Sequence, residues 1–231
     1  MSRCIRGEDR KKLGETVSNL PYPSKEWHKR LANVDESSFQ AGNLKDTPIS
    51  KNVIKQCGYE YRQSTVEDKD VIQSIQILKE KYIKDMTAKA VQGFIQFFSI
   101  QPFTIALWTE KDIECYHKMS PNHSLVVDAT GSIATKLSKK EIFYFGFISY
   151  DRSVKTEPVA HIEVLTDLST TNTLKFILLR FVEDEMKRFN YTTFSVPLLC
   201  TTDFSWPIIK SLVEVFNNET VEGYLARYLA R

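Results

Sequence analysis

Long apolar runs are missing from this sequence. No stretch approaches the roughly 18 uninterrupted apolar residues of a membrane-spanning helix, so no membrane partner is expected. The N-terminus, Met-Ser-Arg-Cys-Ile-Arg-Gly-Glu-Asp-Arg-Lys-Lys, is charged and lacks the apolar segment of a secretory signal. That predicts an intracellular protein that is not secreted. Cysteine is sparse: Cys4, Cys57, Cys115 and Cys200 are scattered and contain no CxxC pair. His28, His117, His123 and His161 likewise show no ligand spacing. A disulfide framework and a local zinc site are therefore both disfavoured. Gly and Pro, at eight each, are too few for a low-complexity chain. The formal net charge is only +2, so any contact with nucleic acid must rest on local patches and not on a global field.

What is present suits a globular chain. Of 231 residues, 42% are hydrophobic and 26% charged, enough to bury a substantial core in one or two domains. Composition changes near residue 90. Residues 1–90 are polar with short helical patterns, which predicts a mainly helical N-terminal region that faces DNA or serves as a link. Within residues 1–30, eight Lys or Arg stand against four acids, the only basic concentration in the chain. A solvated helix face explains that excess as well as a nucleic-acid contact does. Val71, Ile75, Leu78 and Tyr82 recur at helical spacing and predict an amphipathic helix over 67–85. Tyr59, Tyr61 and the aromatics of FIQFF (94–98) read most simply as core residues.

Residues 91–231 are more regular. GFIQFFSI (93–100) and FTIALW (103–108) predict two strands broken at Gln101-Pro102. Thr109 is placed to cap a short helix through Met119, with Glu110 and Asp112 in its first turn, where the helix dipole favours acids. SLVV (124–127), IFYFGFIS (142–149) and PVAHIEVL (158–165) predict three more strands. Leu174, Ile177, Leu178, Phe181, Val182, Met186 and Phe189 then fall three and four apart, the apolar face of one long helix. FSVPLLC (194–200) predicts a buried strand despite Pro197, and Ser205 with Pro207 predicts a helix start. The whole reads as an α+β chain with a mixed sheet and flanking helices.

Two aspartates stand out in that order. Asp128 directly follows SLVV, and Asp203 lies just past FSVPLLC, at the entrance of the next helix. Between them come two strands, a helix and a strand. If the SLVV and FSVPLLC strands are parallel neighbours, as a strand–helix–strand crossover favours, both carboxylates emerge at one end of the sheet. They should then lie within about 8 Å and share hydrated divalent cations, the arrangement that activates a water or 3′-hydroxyl against a phosphodiester. The plain alternative is that aspartates are common at strand ends, turns and caps, and that Asp203 caps the helix after it. Other residues carry both readings too. His161 and Glu163 alternate with apolar residues and predict a shared face, either near the site or in solvent. Trp206 belongs in the core, at a helix end or under the site. Lys136, Lys139 and Lys140 could meet phosphates or decorate a solvated turn.

VVDATGS around Asp128 and CTTDFSW around Asp203 resemble the first two catalytic blocks of Mutator-like (MULE) DDE transposases, as found in transposon-derived proteins of animal genomes. GFIQFFSIQPFTIALWTEKDIECYH is similar to the strand pair and short helix that precede the first catalytic strand in that family. The similarity runs from about residue 90 onward and is weaker over residues 1–60. It implies an RNase H-like transposase core over 91–231 with Asp128 and Asp203 as catalytic and metal-binding residues. Mg²⁺ or Mn²⁺ would be the cofactor, DNA the partner and the nucleus the place of action, with room for a homo-oligomer. The family's third acid sits on a helix beyond a further strand. Here only residues 204–231 follow Asp203, and Glu214, Glu219 and Glu222 are the acids among them. Glu214 falls on the first helix after Asp203, too early to match. The family's zinc-binding DNA reader has no counterpart either. The resemblance thus implies a partial core, an inactive relic of a strand-cleaving enzyme. The alternatives are a non-enzymatic nucleic-acid-binding or protein-interaction module and an RNase H-like nuclease unrelated to transposition.

Overall fold

The computed structural model describes residues 5–20, 22–34, 37, 50–84, 91–120, 122, 124–131, 140–150 and 158–230. The chain divides into two compact units, Met1–Ser74 and Ile75–Arg231. The first holds helices α1 (Gly7–Ser18), α2 (Pro23–Ala32) and α3 (Lys51–Ser64). Leu13 and Val17 of α1 meet Ile54 and Cys57 of α3 in a small core of their own, with Trp27 packed on it. Glycines let these two helices approach closely. A Cβ on Gly14 would lie 2.6 Å from the Cys57 carbonyl oxygen, and one on Gly58 would lie 2.9 Å from Val17. Gly14→Ala should therefore destabilise this unit by about 1–3 kcal/mol, because the obstacle is backbone and the helices must part. That exceeds the roughly 1 kcal/mol that alanine gains in helix propensity. Thermal melts followed by circular dichroism test it, and an unchanged or raised midpoint would contradict the close packing.

The basic residues of this unit are in part already engaged: Arg10 pairs with Glu60 and Arg30 with Glu26, each at 2.7 Å. Tyr59, expected in the core, is exposed. It lies two residues beyond Cys57 on a helix whose buried positions are Ile54, Cys57 and Gly58, so it points to solvent. Helix α4 (Val71–Lys84) follows, shorter than the expected 67–85.

The second unit is built on a mixed six-stranded sheet. Its strands are β1 (Ile95–Ile100), β2 (Phe103–Leu107), β3 (Ser124–Gly131), β4 (Phe143–Tyr150), β5 (Val159–Thr166) and β6 (Leu199–Thr202), in the spatial order β1-β2-β5-β4-β3-β6. Every pairing is antiparallel except β3 with β6. Helices α5 (Glu110–Met119), α6 (Thr171–Phe189) and α7 (Trp206–Leu212) pack on the sheet, a π-helical turn (Val213–Asn217) continues α7, and α8 (Val221–Leu229) follows. The fold is thus α+β. No helix among the described residues is long and apolar enough to cross a membrane.

Local chemistry explains most boundaries. Thr109 and Asp112 form a reciprocal capping box at the head of α5, the side chain of each bonding the other's backbone N–H. Thr170 caps α6, and Asn190 ends it in the left-handed conformation. Leu174, Ile177, Leu178, Phe181 and Val182 are buried as the periodicity predicted, against Leu125, Val127, Phe145, Phe147, Ile162 and Val164 of the sheet. Two strands depart from expectation. β3 runs on to Gly131, so Asp128 lies inside the strand and not after it. β6 is only four residues long and starts at Leu199. Pro197 cannot donate to a ladder, and the Leu198 N–H bonds instead to the Ser120 carbonyl.

Candidate functional site

Strand alternation sorts the sheet residues into two faces. Leu125 and Val127 of β3 point into the helical core, so Asp128 points the other way, and it is exposed. The β3–β6 register pairs Leu125 with Cys200 and Val127 with Thr202. One residue further along both parallel strands, Asp128 and Asp203 are neighbours. Cys200 packs against the core, so alternation carried past Thr202 puts Asp203 on the same open face. Asp203 is exposed and does not cap α7; the cap position is Ser205. The Asp128 carboxylate accepts from Thr130 Oγ1 at 3.4 Å, and that of Asp203 from Thr202 Oγ1 at 3.2 Å.

The same row continues across the sheet. Asp128 pairs with Gly146 of β4, and Gly146 pairs with Glu163 of β5. Phe145 and Phe147 face the core, as do Ile162 and Val164, so Gly146 and Glu163 share the open face with Asp128. Tyr144 fills the space that Gly146 leaves. Its hydroxyl lies 3.2 Å from where a Gly146 Cβ would stand and hydrogen-bonds to Glu163. Burial raises the Tyr144 phenol above its ordinary value, and the neighbouring Glu163 and Asp128 charges raise it further. A Gly in mid-strand is the sequence signal for such a close approach. It lies in IFYFGFIS (142–149), where the apolar run alone shows only a strand.

The late acids do not join the aspartates. Glu214, in the π-helical turn, pairs with Lys175 of α6 at 2.7 Å, in the helical layer on the sheet's other face. Glu219 pairs with Arg227 at 3.1 Å, and Glu222 sits in the first turn of α8. Among the described residues, no group of three or more His, Cys, Asp and Glu side chains could hold a metal ion. Lys140 pairs with Asp167 at 2.8 Å, while Lys136 and Lys139 lie outside the described residues. Trp206 is not core but opens α7, the helix-end reading: it is half-exposed and meets the exposed Phe204 edge-to-face, with ring centroids 5.3 Å apart.

His161 and Glu163 do not share a face. The β4–β5 register slips at this point: Phe147 pairs with Ile162 but Ile148 with Ala160, which leaves His161 as a bulge. The bulge turns His161 inward against Tyr116 of α5, where it is 1% exposed. Neither ring nitrogen has a hydrogen-bond partner. Burial lowers its pKa from 6.5 to about 4; the Asp112 backbone and the Asp112 charge oppose this more weakly. The ring is therefore neutral in the folded protein. Below pH 6.5 the unfolded chain takes up a proton that the folded chain refuses. This contribution is fully present above that pH and is lost as pH falls toward 4, by roughly 3 kcal/mol. Urea midpoints between pH 7 and 4 should fall more steeply for the natural protein than for His161→Leu. Parallel curves would show that His161 is not the buried neutral group.

Comparison with protein-family models, with curated proteins and with solved structures gives no match to this chain.

Proposed function

We propose that this chain is a transposase-derived protein whose second unit is a partial RNase H-like core and whose partner is nuclear DNA. Asp128 and Asp203 keep the first two positions of a metal-dependent strand-cleavage and transfer site. The observation that supports this reading is the parallel β3–β6 register, whose last pair, Val127 with Thr202, comes one residue before each aspartate. Both are exposed, and their donor set is all oxygen, which suits Mg²⁺ or Mn²⁺. Bound there, a divalent ion would activate a hydroxyl or water and stabilise the leaving oxygen of a phosphodiester. Phe204 and Trp206, both just after Asp203, offer exposed aromatic faces on which unpaired bases can stack.

Two carboxylates are too few for the paired ions that cleavage needs. Glu214 is tied to Lys175 in the helical layer, and Tyr144 is hydrogen-bonded to Glu163 over Gly146. The chain therefore binds a single cation weakly, with a dissociation constant on the order of millimolar, and does not cut DNA. Mn²⁺ titration followed by electron paramagnetic resonance should show binding that Asp128→Asn and Asp203→Asn each remove. Incubation with single- and double-stranded DNA and Mg²⁺ or Mn²⁺ should leave both intact. Cation binding that survives both substitutions would sink the site. Metal-dependent cleavage absent from an Asp128→Ala control would mean that another acid completes it.

A further inference from the structure

Helix α3 buries one side against α1 and shows the other to solvent along its whole length. Ile54, Cys57 and Gly58 are buried, while Asn52, Lys55, Gln56, Tyr59, Arg62 and Gln63 are all exposed. Spaced three and four apart, those six form one stripe on the side away from the core. We propose that this stripe lies in the major groove of duplex DNA and holds it through Lys55 and Arg62. The proposal deepens the reading of a DNA partner and rests on it.

The first argument is the order of chemistry across the stripe. Lys55 and Arg62 stand two turns apart along one edge, Asn52, Gln56 and Gln63 run along the other, and Tyr59 lies between. Cations suit the phosphates that border a groove, and planar amides suit the paired donor and acceptor of a base edge within it. The second argument is charge. Glu60 is the single acid of α3, and the Arg10 guanidinium takes both of its oxygens, at 2.7 and 2.9 Å. Gln56 donates to the same carboxylate at 3.2 Å. Among the described residues no ion pair engages the side chain of Lys55 or Arg62. The stripe therefore complements a polyanion and offers a metal ion no carboxylate. The third argument is the lack of aliphatic side chains in it. A lipid surface or an apolar protein groove finds nothing to bury there, because the apolar face of α3 is spent on α1. The fourth argument is length. From Asn52 to Arg62 the stripe rises about 15 Å, the span of about four base steps along one strand. A free phosphate needs far less. The major groove admits an α-helix, and a cleft of about 530 Å³ between the stripe and Pro23 of α2 leaves room for the bordering strand.

Fluorescence anisotropy of the full chain with a labelled duplex of two helical turns, EDTA present, tests this between about 50 and 200 mM salt. Lys55→Gln with Arg62→Gln should weaken binding about tenfold at the low end and reduce the salt slope by about two. Lys11→Gln with Lys12→Gln removes the same charge from the exposed side of α1 and should change affinity by less than about twofold. All four side chains are exposed, so both variants should keep the helical circular dichroism of the natural protein. No duplex binding, an unchanged affinity without Lys55 and Arg62, an equal loss without Lys11 and Lys12, or tighter binding of a single strand would overturn the proposal. DNA binding that ignores the α3 variant leaves the DNA partner standing and removes this interface. Duplex binding that depends on Lys55 and Arg62, beside a failed Mn²⁺ titration, keeps the interface and removes the metal site.

Discussion

Replacing Phe181 by Ala should lower the stability of the second unit by about 3–5 kcal/mol, the range for truncating a fully buried aromatic. Phe181 is buried at the middle of α6 and meets two other buried rings nearly at right angles: Trp108 at 5.6 Å and Tyr116 at 5.0 Å between centroids. Those contacts join three layers of sequence that are far apart, the end of β2, helix α5 and helix α6. Edge-to-face pairs contribute beyond the apolar area they bury, and the ring leaves a cavity that α6 cannot close without moving. Trp108 is pinned as well, because its Nε1–H donates to Asp184 at 3.1 Å. Urea titration should show a lower midpoint with an unchanged slope, and Phe181→Leu should lose less. A loss under 1 kcal/mol would mean that α6 does not pack as described.

Glu185→Ala should cost a comparable amount, about 3–5 kcal/mol, for a different reason. Glu185 sits on the buried side of α6 at 1% exposure. Its carboxylate meets His117 Nδ1 at 2.7 Å and accepts from the Ser195 backbone N–H at 3.2 Å; the Ser195 hydroxyl meets the same His117 nitrogen at 2.9 Å. Cutting the carboxylate away leaves a cavity in the buried face of α6 and removes the partner of two half-buried groups at once, His117 Nδ1 and the Ser195 N–H. Removing both partners should be milder, so Glu185→Leu with His117→Leu should recover much of the loss. A double-mutant cycle measures this coupling, and strict additivity would refute it. The network also fastens the segment before β6 through Ser195.

Elements set by local chemistry were legible in the sequence. The Thr109–Asp112 box and the spacing from Leu174 to Val182 each depend on neighbours within a few positions, and α5 and α6 match them. So does the order of strands from Ser124 onward. Features set by partners far along the chain were not. Asp128, Ala129, Thr130 and Gly131 resemble a turn because they are small and polar, yet they continue β3 where the sheet face is open. Alternation put His161 beside Glu163, and one slipped pairing against β4 parted them. Glu185 stands four residues after Phe181 and so shares its face, but only the fold brings His117 and Ser195 to it. The two aspartates were legible as candidates, whereas Gly146 and Tyr144 between Asp128 and Glu163 became visible only through register.

The sheet's one parallel pairing also imposes a calendar on the molecule. Strands β1 to β5 join through antiparallel ladders, and α6 can settle on them as soon as it has left the ribosome. β6 must instead return across α6 to the far side of β3, closing a long loop for a ladder of four residues. Contacts of that kind come late, because chain entropy is lost before any bond rewards it. A nascent chain released before Leu199 would carry Asp128 on a nearly finished sheet with an empty berth beside it. The register that brings the Asp203 end of β6 alongside β3 is thus among the later contacts to form, and an incomplete chain presents that end of the sheet half-built.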